Sequence, residues 1–144
     1  SSPASGGEHL ISHFIDMKHS IYGTSHDLHG TQVGVGTLHC LRLWEQILAL
    51  DPATIDPAAL ADAQPTESEI ASWIEQDWGA IAGEVQSQWS QKARDKAFIC
   101  AELAKLRDGL PALRTMVQAD LLPSKTVEKA IIEAGGPTTP EGLT

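Results

Sequence analysis

The sequence predicts an all-α protein, a helical bundle of about six or seven helices. Three observations carry this. Apolar residues return at three- and four-residue intervals along most of the chain, no stretch alternates β-branched with polar residues as a half-buried strand does, and no asparagine supplies an Asn-Gly hairpin turn. With 144 residues, 42% of them apolar, the chain can bury a core and reads as one domain over residues 1–144.

The elements follow in order. Ser1 to Gly7 reads as a loop feeding a first helix from about Gly7 to Tyr22. Leu10, Phe14, Met17 and Ile21 form its apolar stripe, with Ile11 and Ile15 beside it, so this stripe is expected to face inward. Gly23-Thr24-Ser25 makes a loop, and Asp27 is placed to cap a second helix over Leu28 to Leu50. Asp51-Pro52 through Asp56-Pro57 breaks the pattern before a short helix over Ala58 to Ala63. Thr66-Glu67-Ser68-Glu69 is a capping box that opens a helix holding Ile70, Trp73, Ile74 and Trp78. Gly79 and Gly83 interrupt the periodicity; a long helix then covers about Ala93 to Arg107, with Ala97, Cys100, Ala101 and Ala104 inward. Pro111 is expected in the first turn of a further helix ending near Asp120, and Ser124 is expected to cap a last one running to about Ala134. Gly135-Gly136-Pro137 ends it, and Thr139-Pro140-Glu141 begins a turn.

A net charge of −9 argues against a nucleic-acid partner, whose phosphates call for basic patches. No apolar run is long enough to span a membrane and no signal pattern opens the chain. Cys40 and Cys100 follow no metal or redox spacing and read as buried free thiols; with so few cysteines, the expected location is the cytoplasm.

The chemistry concentrates at one end. All six histidines lie between His9 and His39, and neutral imidazole is both a proton carrier near neutrality and the commonest protein metal ligand. His9 and His13 are four residues apart, a helical rotation of about 400° with a rise of ~6 Å, so they project from one face, as do Asp16 and Ser20. Polar groups on a largely buried helix need partners: a metal, a substrate or each other. Asp16 is placed to orient His13 through a ring nitrogen. His29 follows the loop at the start of the second helix, where Gly30 and Gly34 form a small-residue pair that lets a ligand or a second backbone come close. His26 lies just before it, while His19 and His39 fit no constellation.

These residues carry a resemblance. Ser5-Gly6-Gly7-Glu8-His9, then His13, then Leu28-His29-Gly30-Thr31-Gln32-Val33-Gly34-Val35-Gly36-Thr37 resembles the sn-glycerol-1-phosphate dehydrogenase family, within the superfamily of iron-containing alcohol dehydrogenases, glycerol dehydrogenase and 3-dehydroquinate synthase. Glu133-Ala134-Gly135-Gly136-Pro137-Thr138-Thr139-Pro140-Glu141 is similar to the same family's C-terminal region. The resemblance implies the C-terminal helical domain of such an enzyme, with the N-terminal nucleotide-binding domain absent from this chain. It implies that His9 and His29 are metal ligands, that His13 binds substrate or relays a proton, and that the acidic metal ligand lies upstream. Thr31 stands where the superfamily commonly has Glu after His-Gly.

The implied reaction is reduction of dihydroxyacetone phosphate to sn-glycerol 1-phosphate in phospholipid biosynthesis. A divalent metal (Zn, Fe or Ni) would polarise the ketone, with NADH or NADPH bound by the missing domain. No Gly-rich phosphate loop follows a strand here, so the isolated chain is expected to bind no NAD(P), to hold metal incompletely and to be inactive alone. Ser5, in the loop before the first helix, is a candidate substrate contact. The expected partners are a small phosphorylated or polyol substrate and the nucleotide-binding domain, with room for a homo-oligomer. Two alternatives stay open: another member of the superfamily (3-dehydroquinate-synthase-like or a polyol dehydrogenase), or a non-enzymatic helical domain serving binding or assembly.

Overall fold

The computed structural model describes residues 6–144, and among them there is no strand. Seven α-helices follow in order: α1 (Gly7–Tyr22), α2 (His29–Ala49), α3 (Pro57–Asp62), α4 (Glu67–Trp78), α5 (Ala82–Lys92), α6 (Lys96–Val117) and α7 (Ser124–Glu133), with short 3-10 turns at Pro52–Thr54, Gly79–Ile81 and Pro140–Gly142. The all-α expectation is borne out. Chain contacts divide these residues into two compact units: the described residues up to Leu50 together with Arg114–Thr144, and Asp51–Leu113.

The first unit carries the histidines. α1 and α2 pack along one another and α7 packs on α2. Gly23 ends α1 in the left-handed region (φ 64°), a conformation that costs glycine nothing, and its N–H bonds to the His19 carbonyl. α2 starts after Leu28, whose side chain cannot cap. Asp27, expected there as the cap, instead accepts from the adjacent Leu28 N–H at 2.6 Å. The far end of α2 is closed by Arg114, whose guanidinium donates to the carbonyls of Leu48 and Leu50. Ser124 is the first residue of α7 and not its cap: its N–H and hydroxyl donate to the two carboxylate oxygens of Glu45 at 2.6 and 2.7 Å. Arg42 and Glu128 add an ion pair between α2 and α7 at 2.7 Å.

Burial in this unit corrects the expected inward face. Leu10, Phe14 and Met17 are exposed, and the buried residue of α1 is Ser12. Opposite it, α2 buries Gln32, Val35, Gly36 and Leu38. The reason lies in Gly36. A Cβ at that position would meet the Glu8 carbonyl oxygen at 2.7 Å, so α1 rests its first turn on bare backbone. Close approach along that line puts Ser12 in the interface and turns the bulkier stripe outward. Gly30 and Gly34 do not serve this purpose, since an added Cβ meets nothing within 4 Å at Gly30 and makes only an ordinary 3.8 Å contact with Ile131 at Gly34. Cys40 is a half-buried free thiol whose pKa is pushed up, first by desolvation and then by the nearby Glu8 charge.

In the second unit, Asp56 caps α3 by accepting from the Ala58 and Ala59 N–H groups. The Thr66–Glu69 capping box is formed in full: the Thr66 hydroxyl accepts from the Glu69 N–H, and Glu69 Oε2 accepts from the Thr66 N–H at 2.8 Å. Gly83 lies inside α5 without interrupting it. α6 opens at Lys96, where Asp95 accepts from the Phe98 N–H, and runs through Pro111 without a new start. Leu110 is buried and Ile99, Cys100, Leu103, Ala104 and Leu106 are half-buried, so Cys100 and Ala104 lie on the expected side while Ala97 and Ala101 are exposed.

Candidate metal and substrate site

The α1–α2 interface gathers three of the six imidazoles. His9 and His13 lie on successive turns of α1, and His29 is the first residue of α2. The ring centroid of His29 is 5.3 Å from that of His9 and 5.7 Å from that of His13. Two independent features, one local and one between helices, produce this meeting. The four-residue spacing puts His9 and His13 on one face, and the Gly36–Glu8 contact brings that end of α1 against α2.

Two of the three rings have their Nδ1 atoms occupied. His9 Nδ1 lies 3.0 Å from Glu8 Oε1, and His29 Nδ1 lies 3.0 Å from the Ser12 hydroxyl. Glu8 also accepts from the Gly6 N–H at 2.9 Å. Its carboxyl is held below the usual range chiefly by the His9 hydrogen bond, then by the backbone N–H groups of Glu8 and Gly6. Metal-ligating histidines characteristically have the second ring nitrogen engaged this way, which leaves Nε2 as the donor. The donor set of His9 and His29 therefore fits part of a divalent-cation site of the imidazole-accepting kind. Among the described residues no third His, Cys, Asp or Glu joins them in a group arranged to hold a metal ion.

His13 is open, with 62% of its side chain exposed, which suits a group that meets a ligand from solvent. Asp16 stands 3.9 Å from His13 Nδ1, an ion-pair distance too long for a hydrogen bond, and 3.2 Å from His26 Nε2. The expected orientation of His13 by Asp16 is thus the weaker of its two contacts. His19 stacks on His26 with centroids 4.5 Å apart and contacts the Thr24 carbonyl through Nδ1. An open hollow of about 570 Å³ is lined by Asp16, His19, Ser20, His26 and His29, among others. His39 is exposed on α2. Ser5 lies outside the described residues.

Sequence reasoning missed Ser12 and Gln32. Both are fully buried, and the Ser12 hydroxyl donates to Gln32 Oε1 at 2.8 Å. The signal was available: Gln32 stands three and four residues before Val35 and Gly36, in the buried register of α2. A polar side chain in that register must be bonded to something.

The described residues form an all-helical fold with an imidazole-rich cluster between two of its helices. Among known proteins, the chain is similar to glycerol-1-phosphate dehydrogenases. Over 57 residues the chain is 44% identical to a glycerol-1-phosphate dehydrogenase [NAD(P)+] of Methanococcus maripaludis strain C5, covering 39% of this chain and 17% of that protein. Over 127 residues it is 26% identical to the glycerol-1-phosphate dehydrogenase [NAD(P)+] of Bacillus licheniformis, covering 85% of this chain and 31% of that protein. The resemblance to the glycerol-1-phosphate dehydrogenase family is borne out by these relatives. The chain spans between 17% and 31% of the length of the two. No family model matches it, and no solved structure does either. No helix among the described residues is long and apolar enough to cross a membrane.

Proposed function

We propose that this chain supplies the metal- and substrate-binding helices of a metal-dependent, NAD(P)-linked dehydrogenase that interconverts dihydroxyacetone phosphate and sn-glycerol 1-phosphate. One observation carries the reading: His9, His13 and His29 meet across α1 and α2, with the Nδ1 atoms of His9 and His29 already engaged. The named relatives supply the reaction class. The Bacillus licheniformis relative aligns over only 31% of its own length, so nicotinamide binding and the acidic metal ligand are assigned to parts of the enzyme beyond these helices.

His9 and His29 would hold a divalent cation, Zn, Fe or Ni, through their remaining ring nitrogens. When bound, the cation supplies Lewis acidity at a ketone oxygen, and the nicotinamide supplies hydride-transfer chemistry. Glu8 fixes the His9 ring. Open to solvent and next to His29, His13 binds the substrate's oxygen groups and carries a proton to or from them. Asp16 lies between His13 and His26, 3.9 Å from His13 Nδ1 and 3.2 Å from His26 Nε2.

The complete enzyme tests this. Metal content and dihydroxyacetone-phosphate-dependent oxidation of NADH or NADPH are measured for wild type, His9→Ala, His29→Ala and His13→Ala, with glycerol and the dehydroquinate precursor as comparison substrates. The ligand variants are expected to lose bound metal and turnover together, and His13→Ala to lose turnover with metal retained. Unchanged metal content in both His9→Ala and His29→Ala would defeat the assignment.

A further inference from the structure

We infer that Ser12 and Gln32 are positioning residues that set the tautomer of His29 and keep its Nε2 lone pair available; this rests on the proposed role of His29 as a metal ligand. The argument follows hydrogen-bond polarity from the backbone outward. Gln32 Nε2 lies 3.0 Å from the Asp27 carbonyl oxygen, and a carbonyl oxygen only accepts. The amide nitrogen of Gln32 is therefore the atom facing Asp27, and Oε1 is the atom facing Ser12. An amide oxygen also only accepts, so the single proton of the Ser12 hydroxyl goes to Gln32 Oε1, at 2.8 Å. Ser12 then has only lone pairs left for His29, 3.0 Å away, and the proton in that contact must sit on His29 Nδ1. A neutral imidazole with its proton on Nδ1 carries its lone pair on Nε2.

This ordering has a chemical consequence. A free histidine side chain favours the opposite tautomer, with the proton on Nε2, where it blocks ligation through that atom. The Asp27 carbonyl, Gln32 and Ser12 act in series to reverse the preference. Because both side chains are fully buried, the Ser12–Gln32 bond that fixes this polarity is shielded from water. The arrangement also explains why polar residues occupy the α1–α2 interface where apolar ones would pack at less desolvation cost.

The test reads the tautomer directly. Long-range 1H–15N correlation spectra of the 15N-labelled, metal-free 144-residue chain are recorded at a pH where imidazoles are neutral. Wild type is expected to show His29 with a protonated Nδ1 and an unprotonated Nε2. Ser12→Ala removes the acceptor, and Gln32→Leu frees the Ser12 proton to be donated to His29 Nδ1; both are expected to move His29 to the Nε2-protonated pattern. Ser12→Thr, which keeps the hydroxyl, is expected to retain the wild-type pattern. Backbone shifts of residues in α2 report whether each variant is folded. A protonated Nε2 in wild type overturns the inference without any variant, and so does a protonated Nδ1 retained in both Ser12→Ala and Gln32→Leu. In the complete enzyme, calorimetric titration with Zn²⁺ alone is expected to show ~10–100-fold weaker binding in these two variants. Should His29→Ala leave metal content unchanged while the tautomer still follows Ser12 and Gln32, the ligand assignment fails and the tautomer relay stands; unchanged Zn²⁺ affinity in Ser12→Ala and Gln32→Leu, with metal lost in His29→Ala, overturns the relay's role at the metal and leaves the ligand assignment intact.

Discussion

The first turn of α1 rests on α2 at Gly36: a Cβ added there would lie 2.7 Å from the Glu8 carbonyl oxygen and 3.1 Å from the Glu8 Cα. Both atoms belong to backbone, so no side chain can rotate away to make room. The contact lies next to His9 in sequence, and it sets the distance at which His9 faces His29.

Gly36→Ala is therefore expected to cost about 1–3 kcal/mol of stability, as overpacking does, and to loosen the His9–His29 pair. Gly34→Ala, two residues away in the same helix, is the control. Its Cβ makes an ordinary 3.8 Å contact with Ile131, and replacing glycine in a helix interior gains about 0.5–1 kcal/mol. Urea denaturation of both variants measures the difference. Equal stability changes at 34 and 36 would show that the backbone contact with Glu8 does not govern the interface.

The same contact marks where the sequence could be read and where it could not. α1 is bounded by local signals, a glycine-rich start and Gly23 at its end, and it begins and ends where the sequence places it. The Thr66–Glu69 box is likewise local. His9, His13 and His29 follow from helix spacing and the family resemblance, and the structure brings them together. Which face of α1 turns inward is not local. It depends on the absence of a side chain at Gly36, 28 positions beyond Glu8, and so periodicity alone points the stripe of Leu10, Phe14 and Met17 to the wrong side. Ser124 is an equal case: a serine before a helical run reads as a cap, yet its partner Glu45 lies 79 residues away. At Pro111 a strong local signal lost to context, because an interior proline costs one helical hydrogen bond whereas the apolar face from Ile99 to Leu110 continues through that turn.

The inverted face of α1 makes a paired prediction. Leu38 is fully buried on α2, and Leu38→Ala is expected to destabilise by about 2–5 kcal/mol. Leu10 is 71% exposed, and Leu10→Gln is expected to stay within about 0.5 kcal/mol of wild type. Denaturant midpoints of the two variants check this. A loss at Leu10 comparable to that at Leu38 would return the stripe to the core.

For α4, the capping box predicts that Thr66→Ala costs about 0.5–2 kcal/mol, since it removes the acceptor for the Glu69 N–H at the helix start. Thr66→Ser keeps the hydroxyl and is expected to recover most of the loss. Thermal melts of the two variants distinguish a cap from mere loss of side-chain bulk, which serine would not restore.

The last prediction concerns acid. Glu45 accepts the Ser124 N–H and hydroxyl, and these two bonds, the backbone one first, hold its carboxyl below the usual value of 4.5. Its pKa is lower in the folded chain than in the unfolded one, so the unfolded state binds the proton more readily. The resulting stabilisation is fully present above the unfolded value and is lost as pH falls through the lower folded value. Glu45→Gln has no proton to gain. The melting temperature of wild type is therefore expected to fall more steeply than that of Glu45→Gln as pH is lowered below about 4.5. Other carboxyls with lowered values, Glu69 and Asp108 among them, contribute to both curves, so the difference between the curves isolates Glu45. Ser124→Ala removes only the hydroxyl bond and is expected to give an intermediate slope. Parallel curves for all three proteins would mean that the Glu45–Ser124 contact does not hold α7 to α2.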